Sequence, residues 1–153
     1  MPTTIFTAID FETADNGRDS ACAVAAVVVA DDVIVDRYCT LIRPPRERML
    51  FTHIHGLAWA DVCDSPDFGG IWPVLRKYLA CSEFLVAHNA PFDRGVLAAC
   101  CAAAGISPPR KRFACTVEAA RRTWGLPRNR LPDVCAHLGI ALEHHDPLSD
   151  AEA

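Results

Sequence analysis

The chain has 153 residues, 51% of them hydrophobic, and a mean hydropathy of +0.13, which predicts one folded domain and excludes a disordered chain. A net charge of -4 with a pI near 5.8 excludes a globally basic polyanion binder, so any contact with nucleic acid has to come from a local patch. Eight cysteines without a Cys-x-x-Cys pair, no leader-like opening and no apolar run longer than Ala21 to Ala30 lead us to expect reduced, mostly buried thiols in a cytoplasmic protein without membrane contact.

Thr3 to Glu12 reads as a first strand and Ala21 to Ala30 as a second, apolar on both faces. Val33 to Ile42 reads as a third after the Asp31-Asp32 turn, completing a three-stranded meander. Arg43 to Phe51 is polar and broken by proline, and Ile54 to Gly56 leads into a short helix around Leu57 to Val62. Phe68 to Ala80 shows helical spacing in Ile71, Leu75, Tyr78 and Leu79, with Pro73 expected in a first turn, where its missing N–H is tolerated. Glu83 to His88 is a short apolar strand, Pro91 to Ala104 a helix stopped by Gly105, and Phe113 to Thr116 a strand feeding a helix from Val117 to Trp124. A helix from Leu131 ends at Gly139, and Pro147 starts a last one that the chain cuts short at Ala153. Strands first and strand-helix units afterwards predict a single α/β domain over residues 1–153. Its sheet is mixed and five-stranded, an antiparallel meander followed by parallel strands, and is flanked by helices, with ligands at strand ends near a topological switch point.

Four carboxylates and a histidine fall at such ends: Asp10-x-Glu12, Asp93 in the string HNAPFD, and His145-x-x-x-x-Asp150. Alternation along the first strand puts Asp10 and Glu12 on one side after Phe6 and Ala8, so that two acids terminate one buried row. Asp93 lies in the first turn of a helix whose Pro91 suits the N1 position, and it shares a face with Val96, Leu97, Cys100 and Cys101. Its charge would be favoured at a helix N-terminus anywhere, but here it starts the apolar stripe. Asp146 before Pro147 reads as an N-cap, which places Asp150 one turn into the final helix and His145 just ahead of it. A seven-residue helix is marginal alone and would hold Asp150 loosely. Acids this close to apolar segments repel one another by about 4 kcal/mol per pair at ~4 Å unless a cation intervenes. Hard carboxylate oxygens point to Mg2+ or Mn2+, and an imidazole near its ordinary pKa can accept a proton at neutral pH.

The strings IDFET (Ile9 to Thr13), HNAPFD (His88 to Asp93) and HHDPLSD (His144 to Asp150), in this order and separation, resemble the DEDDh family of 3'-5' exonucleases over essentially the whole chain. Within that family the chain looks like the proofreading epsilon-type domains of bacterial DNA polymerase III, with IHGL (Ile54 to Leu57) and LPDVCAHLGI (Leu131 to Ile140) as further supports. Pro147, two residues after the histidine where a small residue is usual, departs from the pattern and suits an N1 position. The resemblance implies an RNase H-like sheet and two divalent cations, Asp10, Glu12 and Asp150 holding one, Asp10 reaching the second and Asp93 supporting it directly or through water. His145 becomes the general base. The resemblance also implies that Phe11, Thr13, the IHGL segment with His55 and Leu57, Asn89 and Phe92 surround the terminal nucleotide. The expected partner is the 3' end of single-stranded or frayed DNA, or of RNA, with a DNA polymerase or repair assembly around it.

Seven of the fifteen basic residues lie between Arg110 and Arg130, interrupted by Phe113 and Trp124, and would form a phosphate-binding edge with a stacking ring or else a solvated helix face. Three alternatives share the sequence: an RNA-directed exonuclease of the same family, resembling RNase T or oligoribonuclease; a non-catalytic adaptor of the same fold; and a zinc protein built on His53, His55, His144, His145 and the cysteines. The complete set of acids and histidine speaks against the adaptor, and no ligand spacing matches a structural zinc site.

Overall fold

In the computed structural model, which describes residues 2–153, β1 (Ile5–Thr13), β2 (Ala21–Ala30), β3 (Val33–Leu41), β4 (Phe84–Ala87) and β5 (Arg112–Cys115) form one sheet in the order β3-β2-β1-β4-β5. The first three strands are antiparallel, and β4 and β5 run parallel to β1, as a meander followed by helix crossovers requires. The helices are α1 (Thr52–His55), α2 (Trp59–Val62), α3 (Phe68–Ala80), α4 (Ala90–Ala103), α5 (Thr116–Thr123), α6 (Leu131–Leu138) and α7 (Pro147–Glu152). The architecture is the RNase H-like mixed sheet expected.

One face of the sheet carries the main core. Ile9 and Phe11 of β1, Val24 and Ala26 of β2, and Leu85 and Ala87 of β4 bury themselves against Ile71, Leu75 and Leu79 of α3 and Val96, Leu97, Cys100 and Cys101 of α4. The other face receives α7, which packs across β1, β2 and β3 and is tied to β3 by the Arg37–Glu152 ion pair. Ala23 and Ala25 of β2 stand opposite Glu12 and Asp10 in register, and their small side chains let the helix come close. Coverage on both sides explains why β2 is apolar throughout.

Several local expectations change. The buried row of β1 is Thr7, Ile9 and Phe11, whereas Phe6 and Ala8, which share a side with the acids, are only half-buried. The acids therefore end the thinly covered row, because α3 and α4 cover one face fully and a six-residue helix covers the other. Pro91 is the second residue of α4, not the first. Pro73 is the sixth residue of α3, beyond the first turn, so the Gly69 carbonyl loses an intrahelical donor. The short α1 was not expected, and four of the eight cysteines, Cys22, Cys100, Cys101 and Cys135, are buried, fewer than expected; all eight are free. No helix is long and apolar enough to cross a membrane among the described residues.

Candidate active site

β1 and β4 pair only from Phe6↔Phe84 to Ala8↔Val86 and then part, opening the sheet where strand order reverses. A β-bulge after Glu12 turns the end of β1, and such irregularities re-aim side chains beside sites. There Asp10, Glu12 and Asp150 each offer a carboxylate oxygen within 4.8 Å of the others. Asp146 caps α7 by accepting the Ser149 N–H at 3.0 Å, as its sequence predicts, with Pro147 first in the helix. The Asp150 side chain is nearly buried and is held by the His145 backbone N–H, which donates to Oδ2 at 3.0 Å, and by His144 Nδ1, 3.2 Å from Oδ1. Packing on the sheet thus fixes a carboxylate that the helix alone would hold loosely.

Among the described residues no lysine or arginine pairs with Asp10, Glu12, Asp93 or Asp150. Burial, with the charges of Asp93, Glu12 and Asp150, raises the Asp10 carboxyl well above the usual carboxylate range, and its Oδ2 is buried without a hydrogen-bond partner. Burial, then Asp150 and Asp93, pushes Glu12 up to about 8. An orphaned buried oxygen among mutually repelling carboxylates fits a divalent cation of hard character.

Asp93 stands behind this group. It is 2% exposed, and its Oδ1 accepts the Phe11 N–H at 2.9 Å, a donor left free where β4 diverges from β1. Burial raises it to about 7. It belongs to the same electrostatic cluster as Asp10 but does not line the cleft or share the three-oxygen set.

The cleft itself has a volume of about 740 Å3, and its walls include Asp10, Phe11, Glu12, Thr13, His55, Asn89, Phe92, His145 and Asp150. Leu57 is not among them. It packs by the small cluster of Ala14, Cys22 and Val62, and its backbone N–H donates to His55 Nδ1 at 3.1 Å. His55 Nε2 lies 3.0 Å from the Thr13 carbonyl, so the ring donates there, accepts from Leu57 and stays neutral, its pKa lowered by burial. His145 sits in a left-handed conformation (φ 69), and its ring lies against that of His144, 3.7 Å between centroids and tilted by 31°. Burial and then His144 lower its pKa, against the pull of Asp150, which leaves a neutral imidazole at the cleft wall at pH 7.

Three contributors escaped the sequence. His88 lines the cleft and joins Thr116 Oγ1 at 2.8 Å and the Asn129 carbonyl at 2.9 Å, bridging β4 to α5 and to the loop before α6. Arg18 donates to the Pro91 and Phe92 carbonyls at 3.2 Å and lies over the Phe92 ring, bracing the start of α4. Phe51, just before α1, supplies apolar wall beside Ile54 of the expected IHGL segment. The first two act over 28 to 74 residues of sequence, so no local pattern announces them.

The expected basic edge divides. Arg121 and Arg130 line the cleft, and Arg128 stands beside them in an adjoining pocket. Lys111 instead binds the Ala80 and Ser82 carbonyls, Arg112 lies over Phe84, and Arg122 pairs with Glu118. Phe113 packs on the core and Trp124 against His137, so neither offers the expected stacking ring; the rings in the cleft are Phe11, Phe51 and Phe92.

Known proteins are similar to this chain in sequence and in fold. The RNase_T exonuclease family model matches residues 7–153. The PolC-type DNA polymerase III of Oceanobacillus iheyensis is 31% identical over 138 residues, covering 88% of this chain, which spans only 10% of that polymerase. The structure of exonuclease X in complex with 5' overhanging duplex DNA is 28% identical, with a TM-score of 0.74 over 95% of this chain and 83% of that one. The nuclease domain of 3'hExo, a DEDDh family member bound to rAMP, shares the fold at a TM-score of 0.80 and 14% identity, over 97% of this chain and 86% of that one. The match of nearly the whole chain, with acids and histidine gathered at one sheet opening, establishes that it belongs to the RNase_T exonuclease family, in its DEDDh group.

Proposed function

We propose that the chain is a 3'-5' exonuclease that releases nucleoside 5'-monophosphates one at a time from the 3' end of single-stranded or frayed DNA. The observation that carries this reading is the convergence of Asp10, Glu12 and Asp150 within 4.8 Å beside His145, on the wall of a cleft with arginines at its edge. Asp10, Glu12 and Asp150 would hold one divalent cation, and Asp10 with Asp93, directly or through water, a second. Bound Mg2+ or Mn2+ supplies charge neutralisation for the carboxylates and the incoming phosphate, and acidifies the attacking water.

The protein's own groups do the rest. His145, neutral and at the wall, removes the proton from the water that attacks the terminal phosphodiester. Phe11 and Phe92 flank the terminal nucleotide with their rings, Thr13 and Asn89 border it, and His55 fixes the Thr13 carbonyl. Arg121 and Arg130 attract the phosphates upstream of the scissile bond. The likeness to a PolC-type polymerase supports a place beside a DNA polymerase or repair assembly.

The test is digestion of 3'-labelled and 5'-labelled oligomers with Mg2+, Mn2+ or chelator. Immediate release of labelled mononucleotide from the 3' label, a ladder from the 5' label, and silence in chelator are expected. Mononucleotide released from the 5' label first would refute the polarity. Matched DNA and RNA strands in parallel decide the sugar, since the motifs do not read the 2'-hydroxyl.

A further inference from the structure

We propose that His144, His145 and Asp150 form a separate cation site suited to Zn2+, and that zinc bound there switches the nuclease off. One ligand atom from each of the three lies within 4.8 Å of the others, a grouping distinct from the Asp10, Glu12 and Asp150 set but sharing Asp150.

Adjacent residues ordinarily point apart. The left-handed backbone of His145 folds the two imidazoles together instead, at 3.7 Å between centroids. His144 Nδ1 and Asp150 Oδ1 stand 3.2 Å apart, close to the ~3.3 Å between two ligands of a tetrahedral zinc bonded at about 2.0 Å. The Asp150 carboxylate is already oriented by the His145 N–H, and the His144 side chain is 36% exposed, so the site opens to solvent.

Donor chemistry separates the two sets. Two imidazoles and one carboxylate form a three-ligand zinc arrangement with a fourth position for water, whereas three carboxylates select Mg2+ or Mn2+. The shared Asp150 makes the two occupancies compete. Zinc there also occupies a ring nitrogen of His145, which then cannot accept a proton. Binding stands apart from the nuclease reading; inhibition rests on it.

Co2+ is titrated into chelator-stripped chain and followed by its visible absorption, then displaced with Zn2+. One equivalent of four-coordinate cobalt, bleached by zinc, is expected. His144→Ala and His145→Ala, each checked for folding by thermal melting, should lose the bands and weaken zinc by at least the ~10-fold to 100-fold that loss of a supporting partner costs. Asp10→Asn should keep them. Bands that survive both histidine variants, or vanish in Asp10→Asn, would overturn the site by placing the ion among the acids alone. In the nuclease assay, the zinc concentration giving half of each protein's own Mg2+ rate should rise about tenfold or more in His144→Ala. An unchanged value overturns the inhibitory role. A chain that binds cobalt as expected but digests no oligomer would sink the nuclease reading and leave the site standing.

Discussion

Replacing Glu12 by Gln should stabilise the metal-free protein while removing its capacity to use metal. In the metal-free chain burial, Asp150 and Asp93 raise the Glu12 carboxyl from 4.5 to about 8. The folded value lies above the unfolded one, so the contribution to stability is whole below pH 4.5 and is lost as pH rises through about 8. Above both values the difference corresponds to about 5 kcal/mol against folding. Water reaching the side chain from the open cleft screens this to about 2 kcal/mol, or about 4 to 8 °C in melting temperature for a domain of this size. The assay is thermal unfolding of both proteins in chelator at about pH 5 and about pH 8.5. The two should melt nearly together in acid, and the Glu12→Gln protein should lead at the higher pH. Saturating Mn2+ should then reverse the order, because ligand at 100 times its dissociation constant adds about 2.7 kcal/mol to a protein that binds it. A variant no more stable than the native chain in chelator, or a gap independent of pH, would refute the view that the acids repel one another and await a cation.

His145→Ala should lower kcat by about 100-fold to 10,000-fold and abolish the acidic limb of the pH-rate profile. Because the His145 pKa is lowered, the native chain should hold its rate as pH falls from neutrality to below 6.5 before protonation silences the base. Arg121→Ala with Arg130→Ala should flatten the log–log salt dependence of single-strand binding by about 1.4, at ~0.7 per phosphate contact; an unchanged slope, measured by fluorescence anisotropy, would remove both from the interface. Arg18→Ala and Gly95→Ala should act alike, raising KM more than they lower kcat, since a Cβ at Gly95 would stand 2.2 Å from Arg18 Nη1 and drive the guanidinium off Phe92. A loss of kcat alone would separate Arg18 from the nucleotide pocket.

Periodicity exposed most of the fold because each long element keeps one chemical face. α3 and α4 carry their apolar stripes through 13 and 14 residues, and β2 is apolar on both sides because a helix lies on each. α1, four residues of Thr-His-Ile-His, offers no stripe to recognise. Alternation along β1 correctly put Asp10 and Glu12 on one side, yet it cannot tell which face receives two long helices and which a single short one. The acids were legible because few environments tolerate them in apolar strings. The arginines were not, since Arg122 and Arg121 are neighbours in sequence and only their partners distinguish them: Glu118 holds one, and the cleft receives the other. His88 sat inside a recognised string, but its bonds run to Thr116 and Asn129, which only the parallel pairing of β4 with β5 brings near.

The same dependence on distant structure governs the last turn of the chain. A six-residue helix does not persist alone in water, and α7 persists here because β1, β2 and β3 provide its floor. The His145 N–H then fixes Asp150, while Asp146 and Pro147 fix where the helix begins. The proposed proton acceptor and a proposed cation ligand are therefore set by one turn and cannot move independently. A substitution that lets His145 leave its left-handed conformation releases its ring and the Asp150 carboxylate together, so loss of the acidic pH limb and loss of metal-induced stabilisation should appear in the same variants.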